Sequence, residues 1–197
     1  MEHEMTDILF DLKGNFVPAG YPLPLWSEIV KTLPWLKDEV HAGILPLKGA
    51  ESRDGMLLPQ RAKLALRIPE KYETQALALT GKMLDVEGNR LDVGQGRKRP
   101  IEAYPTLKAQ IVESQLDEAA FLEEVGHALA ALGIPCKWIC GKRQSLQLAS
   151  GTVSGYSLVV HDLKPADSIR LQQVGLGKYR HYGCGIFVPH KTIAGLD

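Results

Sequence analysis

Cysteine is scarce: the 197 residues hold three, at positions 136, 140 and 184. An odd set excludes a fully paired disulfide framework. The step from Cys136 to Cys140 is not the spacing of a zinc knuckle or a redox pair. His127 and His161 would complete a metal site with them only through an irregular geometry. The expectation is therefore three reduced, mostly buried thiols, with no metal and no cofactor. Long apolar runs are also missing, and none approaches the roughly 20 residues of a membrane helix. Residues 1–6 are acidic and lack the apolar stretch of a secretory signal. A cytoplasmic protein without a membrane partner is expected.

Charge of one sign is missing overall, since 23 Lys and Arg balance 23 Asp and Glu. The local distribution differs. No acidic residue occurs between Glu124 and Asp162, and from Val125 onward eight bases face three acids, a net +5. A single-signed stretch on a balanced chain is the footprint of a polyanion-binding face. What remains is ordinary: the 45% hydrophobic and 23% charged content suits a globular chain with a real core. The length suits one large domain or two small ones.

The order of elements favours two. Residues 6–13 alternate Ile8, Phe10 and Leu12 with polar neighbours, which predicts a strand. Pro22 and Pro24 open a helix with Leu25, Trp26, Ile29, Val30 and Leu33 at helical spacing, stopped near Pro34. Strands are predicted over 40–47 and 62–68, a helix over 70–80, and a hairpin over 82–93 turned at Glu87-Gly88-Asn89. Residues 95–105 read as a basic connector carrying Arg97, Lys98 and Arg99, a triplet suited to clamping a polyanion that spans two halves. The order then repeats: a strand over 106–112, a helix capped by Asp117 and ending at Gly133, strands over 136–148 and 153–163, a helix over 165–174, and a last strand over 185–189. Strand, helix, strand, strand, helix, strand occurs twice. The expected fold is α+β with two tandem ferredoxin-like (βαββαβ) domains, 1–94 and 106–197.

One segment carries more information than the rest. Residues 175–185 hold four glycines, Gly175, Gly177, Gly183 and Gly185, with Lys178, Arg180 and His181 between them and two tyrosines. Glycine admits positive φ and close backbone approach, so this loop is expected to converge amides on phosphate oxygens while the cations add charge. The tyrosines suit stacking on bases. No Lys-Ser or Lys-Thr follows the glycines, so this is not a Walker loop, and it does not open a helix as a dinucleotide fingerprint does. Lys142 and Arg143, beside Gly141 on a β-hairpin, are a second candidate contact for a polyanion.

The spacing Gly, apolar, Gly, five residues, Gly, any residue, Gly resembles the C-terminal glycine-rich loop of the repeat-associated (RAMP) superfamily of CRISPR proteins. Residues 183–189 (GCGIFVP) look like the terminal strand of its repeat-RNA processing endoribonucleases. Residues 7–14 (DILFDLKG), 33–46 (LPWLKDEVHAGILP) and 185–191 (GIFVPHK) are similar to the Myxan-type subfamily. The resemblance implies binding of the repeat in a precursor CRISPR RNA and one cut per repeat. It implies a metal-independent reaction in which the ribose 2′-hydroxyl attacks its own phosphate and leaves a 2′,3′-cyclic end.

The resemblance also implies a histidine near the first helix. The N-terminal half offers His3, at the chain end, and His41, just past the helix, so His41 is the expected general acid or base. Lys48 is expected to stabilise the phosphate, and Tyr21 to orient the ribose or share proton transfer. His181 is the rival histidine, with phosphate binding its expected role. His127 reads as a surface or packing residue and His161 as a core one. The alternative function is a non-catalytic RNA-binding subunit of a CRISPR effector, which would add other effector subunits to RNA as partners. A two-histidine phosphodiesterase needs two His-x-Thr/Ser motifs, and only residues 190–192 supply one.

Overall fold

The computed structural model describes residues 4–191; His3 and Thr192 lie outside them. Two compact units emerge. One holds the chain through Pro100 together with Gln147–Thr152 and Arg180–Gly183; the other holds Ile101–Leu146, Val153–Tyr179 and the chain from Cys184.

In the first unit, β1 (Met5–Lys13) and β2 (Phe16–Pro18) lead into α1 (Pro22–Thr32). Pro22 stands at the helix start, where its missing N–H is no loss. Leu25, Trp26, Ile29 and Val30 form the buried face. A 3-10 turn (Pro34–Lys37), β3 (Gly43–Ile44), β4 (Ala50–Ser52), β5 (Gly55–Leu57) and β6 (Lys63–Pro69) follow. After them come a broken helical stretch around α2 (Glu73–Ala76) and the hairpin β7 (Met83–Val86) with β8 (Asn89–Arg99). Positive φ at Glu87 and Gly88 gives this hairpin a two-residue turn.

The main sheet runs β3-β6-β1-β8-β7, and β2, β5 and β4 make a small separate sheet. Ile8, Phe10 and Leu12 of β1 and Leu64, Leu66 and Ile68 of β6 share one core with the buried face of α1. Successive strand residues point to opposite faces. The charged positions between these core residues therefore lie on the other side of the sheet.

In the second unit, β9 (Leu107–Glu113), α3 (Glu118–Ala131), β10 (Lys137–Leu148), β11 (Gly151–His161), α4 (Pro165–Val174) and β12 (Phe187–Pro189) build a sheet ordered β10-β11-β9-β12. Asp117 caps α3 by accepting from the Ala120 N–H at 2.9 Å. Phe121, Val125 and Leu129 of α3 pack on Leu107, Leu158, Val160 and Phe187. With β7 set aside, both sheets place their strands second, third, first, fourth. That permutation is the ferredoxin-like arrangement expected from the repeated element order.

Three elements depart from expectation. The strand predicted over 40–47 shrinks to Gly43–Ile44. Before it the chain turns, the Ala42 N–H donating to Glu39 O at 3.2 Å, and beyond it Pro46 has no N–H to offer a ladder. The helix over 70–80 breaks into 3-10 turns flanking four α-helical residues; only Ala76 and Leu79 are buried, and their step of three suits 3-10 geometry. Residues 95–99 are not a connector. They continue β8 along β1, Arg97 facing Leu9 and Arg99 facing Asp7. Gly96 sits there because a Cβ would meet the Phe10 ring at 2.5 Å. Among the described residues no helix is long and apolar enough to cross a membrane.

Candidate active site

His41 ends a tight turn after the 3-10 helix, with its residue exposed. Its N–H donates to the Glu39 carboxylate at 3.2 Å. A short 3-10 segment from the glycine-rich loop (Arg180–Tyr182) belongs to the same unit and grips this turn. The Arg180 Nε–H donates to the His41 carbonyl at 2.6 Å. His181 Nε2 lies 2.9 Å from the Glu39 carbonyl. A carbonyl only accepts, so that nitrogen carries the proton. The His181 ring stacks on Trp26, centroids 4.5 Å apart and planes 17° from parallel. Gly183 then passes so close that a Cβ would lie 3.0 Å from the Ile44 carbonyl.

Behind the turn is a buried charge cluster. Arg67 donates to Asp7 through Nε at 2.8 Å and Nη2 at 3.1 Å, and Arg99 donates to the same carboxylate at 3.0 Å. Register explains the set: Asp7 faces Arg67 on β6 and Arg99 on β8. Burial, with Arg67 nearby and Asp7 only partly offsetting it, brings the Arg180 guanidinium down to about 10. Asp7 and Arg67 were not singled out from the sequence. Their signal is two opposite charges on the off-core face of apolar strands, meaningful only once the pairing is known.

Lys48 is exposed. It follows Leu47, whose N–H donates to the Tyr21 hydroxyl oxygen at 2.9 Å. Tyr21 itself is buried, which pushes its phenol up to about 12. It stays protonated at neutral pH. Its hydroxyl holds the chain just before Lys48, a bond not expected from the sequence.

The amide cradle expected over residues 175–185 does not form along the whole loop. Gly175 N–H donates to Leu171 O, Gly183 N–H to Arg180 O and Gly185 N–H to Ile111 O, at 2.9, 3.0 and 2.8 Å. All four glycines have positive φ, and these three amides are taken by α4, by a turn within the loop and by β9 respectively. At Gly185 a Cβ would lie 1.8 Å from Leu176 O. Arg180 and His181, expected on phosphates, bond carbonyls of the His41 turn. The outward part of the loop is Gly177, Lys178 and Tyr179. Tyr179 is 39% exposed at a φ of 63°, an uncommon conformation for a bulky residue.

The other cations divide similarly. Lys98 pairs with Glu70 and Glu73, and Arg99 with Asp7, so the basic triplet is largely neutralised. Arg97 points outward, 3.9 Å from Asp11. Arg143 is tied to Leu116 O and the Tyr156 hydroxyl, whereas Lys142 is exposed. His161 contacts Asp162 at 3.3 Å, and His127 lines an open groove with Leu122 and Trp138. Burial pushes the Cys136 and Cys184 thiols up to about 11 and about 12, which keeps them protonated.

The family model described as Cas6 Crispr matches residues 6–192. The CRISPR-associated endonuclease Cas6 of Myxococcus xanthus (strain DK1622) is 32% identical over 186 residues, covering 93% of this chain and 81% of that protein. The chain belongs to the Cas6 family. The resemblance read from the glycine spacing and the three N- and C-terminal segments therefore holds, and with it the enzyme class, a CRISPR-associated endonuclease. Solved Cas6 folds agree. One CRISPR-associated Cas6 protein superposes with a TM-score of 0.68 at 12% identity, covering 95% of this chain and all of that one. A Cas6-related protein from Pyrococcus furiosus gives 0.67 at 12% identity, covering 97% and 99%. A RAMP protein described as binding different RNA substrates gives 0.67 at 11% identity, covering 92% and 98%.

Proposed function

We propose that this Cas6 chain cuts CRISPR repeat RNA without a metal, by attack of the ribose 2′-hydroxyl on the adjacent phosphate, releasing guide RNAs with 2′,3′-cyclic phosphate ends. The observation that carries the reading is His41: an exposed residue on a turn whose Glu39 and His41 carbonyls are held by His181 and Arg180. A 2′-hydroxyl is a weak nucleophile and a 5′-oxygen a poor leaving group at neutral pH. The reaction needs in-line alignment and a proton carrier whose affinity lies near the working pH. Imidazole is that carrier. In this reading His41 protonates the departing 5′-oxygen or takes the 2′-hydroxyl proton, and Lys48 meets charge building on the phosphate. Lys178 and Tyr179 contact the RNA backbone and bases, with Arg97 and Lys142 as outlying phosphate contacts. The M. xanthus relative's name as an endonuclease supports the activity. A Thermus thermophilus Cse3 described as bound to an RNA representing a pre-cleavage complex, with a TM-score of 0.56, supports RNA as the partner.

Cleavage of the cognate repeat is expected to continue in excess chelator, with a product that a ligase needing a free 3′-hydroxyl cannot join. Efficient ligation would exclude internal attack, and retention of intact RNA would favour a non-catalytic RNA-binding subunit. Lys178→Ala is expected to weaken repeat binding and to lower the slope of log affinity on log salt by roughly 0.7, the share of one single-strand phosphate. An unchanged slope in a salt titration would remove the loop tip from the backbone contacts.

A further inference from the structure

Arg180 and His181 lie in the glycine-rich loop, and its sequence suggests RNA contacts for both. The geometry assigns them another task. We infer that Arg180 and His181 are positioning residues that lock the His41 turn for cleavage; this rests on the reading of His41 given above.

Three observations converge. The two side chains hold two carbonyls of one tight turn, those of Glu39 and His41, at 2.9 and 2.6 Å. Between them Val40 is 68% exposed, so no packing of its own side chain fixes the turn. A surface turn without such ties moves on the nanosecond-to-microsecond scale, whereas proton transfer demands placement within about 0.5 Å. Second, neither side chain is freely exposed: Arg180 is 9% exposed, and His181 is half-buried and lies flat on Trp26. Third, Arg180 is an unfavourable residue to bury here. It sits near Arg67, and one carboxylate, Asp7, faces both. An apolar side chain of similar volume would fill the space without the desolvation cost. What it would not supply is a donor aimed at His41 O.

The clamp makes a claim about rate, not affinity. Arg180→Met keeps the bulk and removes the donor. Its single-turnover cleavage at saturating protein is expected to fall by about 100-fold, the scale of an ångström of misplacement, with repeat affinity and its salt dependence unchanged. In a His41→Ala background the same substitution is expected to cost nothing further, because both act through one group. Arg180→Lys, which keeps a donor on a flexible stem, is expected to restore part of the rate. His181→Phe keeps the ring on Trp26 and removes the donor to Glu39 O; it is expected to show the same pattern more weakly, and it carries the test if Arg180→Met lacks a cooperative thermal transition.

A wild-type rate in Arg180→Met or, where that variant does not fold, in His181→Phe would overturn the clamp. So would lost affinity with a shallower salt slope, which would put Arg180 on the RNA, or a full additive loss in the His41→Ala background. Wild-type cleavage by His41→Ala alone would instead sink the role of His41 itself, a failure separable from the others because it needs no clamp variant.

Discussion

Replacing His41 by alanine is expected to slow single-turnover cleavage of repeat RNA by about 10² to 10⁴-fold, the range for losing a proton-transfer group. Binding and folding should hardly change, and the structure says why. Residue 41 makes two bonds through its main chain: its N–H donates to Glu39 and its carbonyl accepts from Arg180. Both survive truncation at Cβ. The side chain is exposed, so its loss opens no cavity in the core. The check is a rate at saturating protein beside a filter-binding constant and a thermal midpoint. A rate loss matched by lost affinity would make His41 a binding residue, and an unchanged rate would remove it from the mechanism.

Asp7→Ala is expected to destabilise the protein by about 3–5 kcal/mol, the cost of leaving buried charge without its partner. Asp7 is 3% exposed and Arg67 1%. The carboxylate takes two bonds from Arg67 and one from Arg99, and it is the acid that offsets Arg67 beside Arg180. Without it, buried guanidinium groups face one another. Removing both members is a different case: Asp7→Leu combined with Arg67→Met should lose far less, because apolar side chains of similar volume do not require a partner. Denaturant unfolding of the three proteins measures this. A loss within about 1 kcal/mol for Asp7→Ala, the value of an exposed pair, would mean the cluster is solvated.

The architecture was legible because it rests on periodicity. Alternation through Ile8, Phe10 and Leu12, helical spacing through Leu25, Trp26, Ile29 and Val30, and the Asp117 cap are local properties, and each appears in the fold where its pattern puts it. Length was less legible than type. Nothing local in Val40 and His41 announces a turn, since both tolerate a strand; the turn is set by the Glu39 carbonyl, held by Ala42 N–H and His181 from two directions.

The site residues were legible by type, and their internal bonding was not. His41 and Lys48 stand exposed, as a reacting side chain must. Tyr21, Arg180 and Arg143 are chemically suited to RNA, but the fold uses each as an internal donor or acceptor. A lone sequence cannot separate these fates, because a guanidinium that meets a phosphate and one that meets a buried carbonyl look alike until the chain is folded. The glycines of residues 175–185 carry the same lesson. Their positive φ values close turns, and this puts Arg180 where it reaches His41 O. In this chain the glycines meet a folding requirement of the loop.

A repeat RNA carrying a single 2′-deoxy nucleotide immediately 5′ of the cut tests the central claim most directly. With the nucleophilic oxygen gone, the protein should bind this RNA as it binds the all-ribose strand and leave it intact through many turnover times. Cleavage of the deoxy-substituted strand at the same bond would contradict the account, because the attacking oxygen would then have to come from elsewhere.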